Sequence, residues 1–383
     1  MSAKPVDPAP TRWSLPATSN GARSIGAGIA DLDVPTPDAT LKRFTSYVQE
    51  GTRYRSSIAK AQGRLASWYL HTWRARIDPE WVVPLGVGAK AAAALLRDVL
   101  AGLGQSAPTV VPTPIYGGLL RTADRRPPLV PVPLVEVANG TELRYELPQS
   151  ELRAALGARS VLLLCNPHNP VGRHWTSELD ELAAHTATVG SFVISDEVHA
   201  DLLRPDRVHR SWASTAHDDQ WAVLHSFGKT FAMSGLNTCQ VIMPSAPVRS
   251  AFVERLHQLG LRPGGVISEC EIRAVTETGE DWLPVIRRQC AAWTDELVTR
   301  LRSAGVPCTQ PEAGFLVWAD LGAGEEPAAT RLWHETGIHV LGGERFGARH
   351  NGYVRINAAL SASDRTELAD RITTASRKRD DGE

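Results

Sequence analysis

The feature that most constrains the fold is a regular alternation of short apolar runs with longer segments between residues 81 and 243. Two of the intervening segments, AAAALLRDVLAGL and TSELDELAAHTATVG, have helical patterns. Such alternation predicts a mostly parallel sheet with helices on both faces, in which ligands bind at the carboxyl ends of the strands. The predicted strands are WVVPL from Trp81, TVVP from Thr109, SVLLLC from Ser160, SFVIS from Ser191, AVLHS from Ala222 and CQVIM from Cys239.

After about Gly279 the pattern becomes that of a smaller α+β unit. The amphipathic LPVIRRQCAAWTDELVTRLRSAG precedes the alternating run GFLVWADL, a helix near ATRLWHETG, the strand-like IHVLGG and YVRINAAL, and a last helix. We therefore expect an N-terminal arm that joins the small domain at 1–45, a large domain at 46–282 and a C-terminal small domain at 283–383.

Composition argues against several classes of function. With 43% hydrophobic and 22% charged residues, the chain has the composition of a globular protein, and a net charge of -1 predicts no nucleic-acid partner. No run approaches the about 20 apolar residues of a membrane helix, so no membrane association is expected. Five scattered cysteines, without a CxxC pair and without metal-ligand spacing, predict free thiols and a cytoplasmic location.

The motif GVGAKA, residues 86–91, follows the first strand and opens a helix. It matches a dinucleotide-binding fingerprint, but the next strand, TVVPTPIY, lacks the acidic residue that would hold a ribose. Both interpretations share a glycine-lined helix start, which binds phosphate. Lys90 either adds positive charge there or is a solvated helix lysine.

Two later strands end in polar residues. CNPHNPVG, residues 165–172, presents Asn169 at the sheet edge, although a plain turn explains this motif equally well. SDEVHADL places Asp196 and Glu197 after a buried run, where a carboxylate is costly without a partner. His199 lies three residues beyond Asp196. A metal site is the alternative, but no third ligand follows at a suitable spacing.

Lys229, in HSFGKTFAMSGL, follows the next strand and has apolar and hydroxyl neighbours. Desolvation by Phe227 and Phe231 would lower its pKa and make it a nucleophile or a base. Ser226 and Ser234 supply hydroxyls on either side. A phosphate-binding helix end, an amide, a carboxylate, a histidine and a lysine are together the groups that hold pyridoxal 5′-phosphate.

Several segments in the same order resemble fold-type I pyridoxal-phosphate enzymes of the class I/II aminotransferase family, most closely its cystathionine β-lyase-like carbon–sulfur lyase branch. The segments are ADLDVPTP, NPHNPVGRHW, SDEVHADL, GKTFAMSGL, FG at 346 and YVRINAAL. The resemblance covers roughly residues 25–375. It implies a large domain with a mostly parallel seven-stranded sheet flanked by helices, a smaller α+β domain, and a homodimer with shared active sites.

The resemblance also implies roles for individual residues. Lys229 matches the lysine that binds the cofactor covalently and then acts as the general base. Asp196 matches the partner of the pyridine nitrogen, and Asn169 matches the amide that contacts the phenolic oxygen. Tyr116, a cofactor-binding and catalytic residue, matches the aromatic ring stacked on the cofactor. His199 stands where many aminotransferases have a tyrosine.

The phosphate contacts follow from the same resemblance. The backbone of Val87 and Gly88, with the Ser226 hydroxyl, is expected to hold the phosphate. Tyr54 matches a tyrosine that reaches the neighbouring subunit's phosphate, although an ungapped match places Arg55 there.

The substrate contacts and the departures from the family bear on the reaction. Arg355 matches the arginine that binds the α-carboxylate of the substrate, and Asn169 is expected to bind the substrate as well as the cofactor. Gly228 and Ala232 replace a serine and an asparagine that are common in the branch, and Asn237 stands where many aminotransferases have a phosphate-binding arginine. SIGAGIADLD replaces an aromatic-rich opening.

The resemblance favours β-elimination on an S-substituted cysteine, such as a cysteine S-conjugate of natural-product biosynthesis of the lincosamide kind. Transamination and oxidative decarboxylation or deamination use the same residues, so the motifs leave them open. A regulator without catalytic activity is the alternative from another class, and the presence of Lys229, Asp196, Asn169 and Arg355 disfavours it.

Overall fold

The computed structural model describes residues 23–50, 58–105, 107–120 and 128–380. The helices are α1 (Asp38–Gln49), α2 (Ile58–Trp73), α3 (Ala89–Gly102), α4 (Gly117–Leu120), α5 (Gln149–Ala155), α6 (Glu178–Val189), α7 (Ala246–Gln258), α8 (Val266–Thr278), α9 (Trp282–Ser303), α10 (Ala328–Thr336) and α11 (Ala362–Asp380). Short 3-10 helices span Pro79–Trp81, Ala200–Leu202, Trp212–Ser214, Ser234–Leu236 and Gly343–Phe346. No helix within these ranges has the length and apolar character needed to cross a membrane.

The strands form two main sheets and one short pair. They are β1 (Ile25–Gly26), β2 (Val82–Leu85), β3 (Thr109–Thr113), β4 (Leu129–Pro133), β5 (Val135–Asn139), β6 (Glu142–Glu146), β7 (Val161–Cys165), β8 (Phe192–Asp196), β9 (Trp221–His225), β10 (Cys239–Ile242), β11 (Cys308–Thr309), β12 (Leu316–Asp320), β13 (Ile338–His339), β14 (Leu341–Gly342) and β15 (Tyr353–Asn357).

The large sheet has seven strands in the order β2-β10-β9-β8-β7-β3-β4. Neighbours from β9 to β4 are parallel, and β10 is antiparallel to both β2 and β9. Every residue of β7, β8 and β9 is buried, which explains their continuous apolar runs. The predicted fold class is confirmed.

The six strands expected between residues 81 and 243 all lie in this sheet, but the prediction omits β4. Prolines interrupt the apolar pattern of β4, LVPVP, and the strand lies at the edge of the sheet, where proline is tolerated. The helix expected after β7 is α6, which ends at Gly190 in the left-handed conformation with φ 70°.

The second sheet has the order β14-β15-β12-β11-β6-β5. Strands β5 and β6 come from the middle of the chain, and β6 pairs in parallel with β11. The N-terminal β1 pairs in parallel with β13. Residues 135–146 thus join the sheet of the C-terminal part, whereas the predicted boundaries place them in the large domain. The division at 1–45, 46–282 and 283–383 stays a prediction.

A buried hydrogen bond from the aromatic cluster of β12 and β15 joins the β5-β6 hairpin to the rest of this sheet. The ring of Trp318 stacks on Tyr353 at 5.3 Å between centroids, and its Nε1 donates a hydrogen bond to the hydroxyl of Tyr145 at 3.1 Å. The Tyr145 hydroxyl donates in turn to Glu136 Oε2 at 2.6 Å. One buried side-chain hydrogen bond therefore ties the hairpin to β12, and the second lies within the hairpin.

Tyr145→Phe is expected to lower the free energy of unfolding by about 1–3 kcal/mol, because it leaves the buried Trp318 indole N–H without its acceptor. Urea unfolding measures this loss. In the double variant with Trp318→Phe, the two losses should combine to less than their sum, since both remove the same hydrogen bond. Strictly additive losses would contradict this account of the hairpin.

Candidate active site

A cavity of about 720 Å³ lies at the carboxyl ends of the central strands. Parallel neighbours end at one edge of a sheet, so residues distant in sequence meet there: Cys165 at the end of β7 is paired with Asp196 at the end of β8. The predicted site residues that line the cavity are Gly88, Tyr116, Asn169, Asp196, His199, Ser226, Lys229 and Arg355. Arg355 comes from β15, so the cavity lies between the two main sheets.

Among the described residues, the predicted site residue Val87 does not line this cavity. Val87 precedes Gly88 and packs against the apolar core between the large sheet and α3. Tyr54, together with its alternative Arg55, lies outside the described residues. The expected contacts of these residues with a phosphate stay predictions.

The start of α3 can hold a phosphate because the residue at its N-cap is a glycine, which has no side chain to cover the backbone. Gly88 is the N-cap, and its carbonyl accepts hydrogen bonds from the N–H groups of Ala91 and Ala92 at 2.9 and 3.1 Å. A Cβ at Gly88 would lie 2.2 Å from Oδ1 of Asn237, so any larger residue here would displace this side chain. Ser226 also lines the cavity, and its Oγ accepts a hydrogen bond from Gly228 N at 3.2 Å.

Of the two adjacent carboxylates, only Asp196 lines the cavity. Burial raises the pKa of Asp196 to about 6, while a hydrogen bond from the Val198 N–H lowers it, the charge of Glu197 raises it and the charge of Lys229 lowers it. Glu197 lies on the other side of the strand, where its Oε2 is 2.9 Å from His209 Nε2. Glu197 is therefore a structural residue, and Asp196 alone can face a ligand.

Lys229 is half-buried, and its Nζ donates a hydrogen bond to the carbonyl oxygen of Ala30 at 2.5 Å. The rings of Phe227 and Phe231 pack against Trp68 in the core, with centroids at 5.4 and 6.3 Å. Neither ring is among the residues that line the cavity. This differs from the expectation that both rings shield the lysine.

Arg355 is a buried cation, only 1% exposed. Its NH1 donates to Asn169 Oδ1 at 3.1 Å and its NH2 donates to the carbonyl of Gly28 at 2.8 Å. Burial lowers the pKa of Arg355 to about 10, so the group stays charged at neutral pH. Within the described part of the chain, no carboxylate pairs with it and its Nε has no acceptor. A buried charge of this kind is costly, and an incoming carboxylate would compensate it.

The bond to Arg355 also fixes the amide of Asn169, because Oδ1 accepts it and Nδ2 remains to donate to a ligand. Burial, followed by the charges of Lys229 and Arg355, lowers the pKa of His199 to about 3. His199 is therefore neutral. The donors, the carboxylate and the glycine beneath Asn237 fit pyridoxal 5′-phosphate.

Sequence reasoning missed part of the wall, namely Ile29, Ala30 and Leu341. They approach the cavity through pairings between distant segments, which local periodicity does not reveal. The one signal was the unusual opening SIGAGIADLD, which places Ile29 and Ala30 where an aromatic-rich segment was expected.

Comparisons with known proteins agree with this geometry. The profile of the aminotransferase class I and II family matches residues 36–372. Cystathionine beta-lyase PatB of Bacillus subtilis is 25% identical over 359 residues, 91% of each chain. An aspartate aminotransferase of Pyrococcus horikoshii is 26% identical over 367 residues, which cover 92% of this chain and 90% of that protein.

Among solved structures, a PLP-bound putative aminotransferase from Clostridium difficile 630 has a TM-score of 0.87 at 23% identity, with 97% of this chain and 98% of that chain covered. At this identity the likeness shows the fold. With the family profile, the comparisons confirm the expected fold-type I architecture, the expected cofactor, pyridoxal 5′-phosphate, and an enzyme of this class. The roles of individual residues stay predictions.

Gly88→Ala is expected to weaken binding of pyridoxal 5′-phosphate, because the added methyl group displaces Asn237 from the helix start. Overpacking costs about 1–3 kcal/mol, which corresponds to a roughly fivefold to 150-fold rise in the dissociation constant. Titration of the apoprotein with the cofactor measures it. Gly102→Ala, at the other end of α3, is the matched control, since a Cβ there meets nothing within 4 Å. Equal affinities of the two variants would refute this role of Gly88.

Asp196→Asn is expected to change the pH dependence of apoprotein stability. The folded pKa of about 6 lies above the unfolded value of about 3.9, so the stability from this group is present below pH 3.9 and is lost as pH rises through 6. In urea unfolding the variant should match the parent near pH 4 and exceed it by up to ~3 kcal/mol at pH 8.

The exposed Asp206 supplies the control for this measurement, and Asp206→Asn should keep the pH dependence of the parent. A parallel pH dependence of all three proteins would show that burial of Asp196 has no such effect.

Proposed function

We propose that this chain, which belongs to the aminotransferase class I and II family, cleaves the carbon–sulfur bond of an S-substituted cysteine by β-elimination. The observation that carries the proposal is the buried Arg355, without a carboxylate partner among the described residues, in the same cavity as the amine of Lys229. An α-amino acid supplies both complementary groups: its carboxylate pairs with Arg355, and its α-carbon is the atom at which Lys229 reacts.

Two further observations favour a lyase. Two segments that resemble the carbon–sulfur lyase branch, NPHNPVGRHW and SDEVHADL, contribute Asn169, Asp196 and His199 to the cavity wall. The relative PatB is named a cystathionine beta-lyase and matches over 91% of this chain. We extend that activity to this chain as a proposal, with a cysteine S-conjugate of natural-product biosynthesis, such as lincosamide assembly, as the substrate.

The chain's own residues divide the work. Arg355 would bind the α-carboxylate through two N–H groups, and Asn169 Nδ2 would donate to the phenolic oxygen of the cofactor. Asp196, as a carboxylate, would accept the N–H of the pyridine ring. Bound pyridoxal 5′-phosphate supplies an electron sink for the charge left on the α-carbon. Lys229 Nζ removes the α-proton as general base.

The β-substituent then leaves as a thiolate with the electrons of the carbon–sulfur bond, and a proton converts it to the thiol. Water then hydrolyses the remaining three-carbon fragment to pyruvate and ammonia. Neutral His199 contributes no charge that would compete with Lys229.

Amino transfer is the second candidate function. The observation that favours it is the aspartate aminotransferase of Pyrococcus horikoshii, which matches this chain at an identity and coverage similar to those of PatB. Oxidative decarboxylation of a cysteine S-conjugate is a third outcome that the same residues could serve.

We further propose a cytoplasmic homodimer in which Tyr54 reaches the partner's phosphate, as the family resemblance implies.

The test of the enzyme is the Lys229→Ala variant. The purified parent is expected to absorb visible light from bound pyridoxal 5′-phosphate and to release thiol and pyruvate from S-alkyl cysteines. Lys229→Ala should lose the absorbance of the lysine-bound cofactor and lower the rate of thiol release roughly 10²–10⁴-fold. Lys42→Ala, at an exposed lysine of α1, should leave both unchanged.

Assays for aldehyde, carbon dioxide and amino transfer to a keto acid complete the experiment. Aldehyde with carbon dioxide would replace elimination by decarboxylation, and a 2-oxo acid formed only with an amino acceptor would favour the aminotransferase. Absence of any absorbance after addition of the cofactor would refute the assignment of Lys229.

A further inference from the structure

The segment 28–31 forms part of the cavity wall through Ile29 and Ala30, and side chains of the surrounding structure hold its carbonyl groups. Each of its four carbonyls accepts a hydrogen bond. Arg355 donates to Gly28 at 2.8 Å, Lys229 donates to Ala30 at 2.5 Å, and Asn357 Nδ2 donates to Ile29 at 2.8 Å and to Asp31 at 2.7 Å. The segment therefore runs from the guanidinium to the amine.

This course places Ile29 beside any bound amino acid. A substrate whose carboxylate is on Arg355 and whose α-carbon is within reach of Lys229 lies along the segment that joins these two groups. Ile29 is the residue between Gly28 and Ala30, and its side chain lines the cavity. Its position is therefore next to the β-substituent.

Ile29 and Leu341 are large apolar residues of the cavity wall. Ile29 is 37% exposed, an apolar surface that a bound substituent would cover. Leu341 also lines the cavity and is paired with Arg355 across β14 and β15. Of the charged side chains in the described wall, Asp196, Lys229 and Arg355 have roles toward the cofactor and the α-amino acid. Lys90, in the first turn of α3, lies at the phosphate end.

The segment is also held in place by the protein. The fully buried Asn357 donates its backbone N–H to Ala27 at 2.8 Å, and its Oδ1 accepts from Ala359 N at 2.7 Å. A Cβ at Gly28 would lie 2.9 Å from His339 Nδ1, so the backbone of the segment packs tightly on its outer side. Ile29 is thus presented by a fixed wall.

We infer that Ile29 is a specificity-determining residue that selects cysteines with an uncharged, apolar S-substituent. This inference rests on the proposed function, because it names the substrate class of the same site. A charged substituent would lose its hydration when it enters the space beside Ile29 and would gain no charged or hydrogen-bonding partner there. This desolvation penalty weakens binding in both the ground state and the transition state.

The experiment compares S-isobutyl-L-cysteine with S-carboxymethyl-L-cysteine, whose substituents have the same branching but differ in charge. The holoenzyme is expected to show a kcat/KM at least roughly tenfold higher for the isobutyl compound. Ile29→Lys should shift this ratio roughly tenfold or more toward the carboxymethyl compound. Ile29→Ala, which adds no charge, should lower kcat/KM roughly tenfold for the isobutyl compound alone.

Val285→Lys is the matched control, because Val285 is 40% exposed on α9 and does not line the cavity. The ratio of kcat/KM values for the two compounds should be the same in this variant as in the parent. A parent that prefers the carboxymethyl compound would overturn the inference. So would Ile29 variants with an unchanged ratio.

A second measurement keeps the inference testable if no thiol is released, an outcome that counts against the proposed function alone. Calorimetry on the holoenzyme then compares L-norleucine with L-2-aminoadipate, which have no leaving group. Tighter binding of norleucine by the parent, lost in Ile29→Lys, supports the inference. An equal preference in parent and variant overturns it.

Discussion

The site depends on keeping the guanidinium of Arg355 charged and dry. Its described hydrogen bonds go to neutral oxygens of Asn169 and Gly28, so the charge is held in position without being neutralised. Burial of an unpaired ion costs several kcal/mol, which the packing of the two sheets must offset. Asn169 follows β7 of the large sheet and Gly28 belongs to the N-terminal segment, so the Arg355 side chain fixes both of these parts relative to β15.

Much of the site was readable from sequence because parallel strands end at a common edge. Asn169, Asp196 and Lys229 each follow a short apolar run, so their convergence needed only the order of the elements. The rest depended on pairing between distant segments. The junction of β6 with β11 and the position of Ile29 leave no trace in local periodicity.

The direction of side chains in turns was also beyond the sequence. Phe227 and Phe231 lie close to Lys229 in the chain, yet both rings turn into the core against Trp68. The alternation that orients side chains in a strand does not extend through the turn that follows it. Similarly, Asp196 and Glu197 could be separated only once the strand's two faces were known.

Two departures from the carbon–sulfur lyase branch concern the shape of the turn around Lys229. A Cβ at Gly228 would lie 3.1 Å from the Cα of Ser234, so the serine common in the branch would require this turn to move. Ala232 has φ 53°, a left-handed conformation in which asparagine is more easily accommodated. Its carbonyl accepts a hydrogen bond from Thr36 Oγ1 at 3.1 Å, which connects the turn to the N-terminal region.

The β5-β6 hairpin has a consequence for any attempt to divide the molecule. A fragment that begins at residue 283 would retain β11 but lose the strand beside it, exposing an open row of backbone donors and acceptors to other chains. A fragment that ends before residue 283 would keep the hairpin but lose Trp318, to which Tyr145 is hydrogen-bonded. The two sheets are therefore interleaved in sequence, and neither is an autonomous module that recombination could exchange by a single crossover.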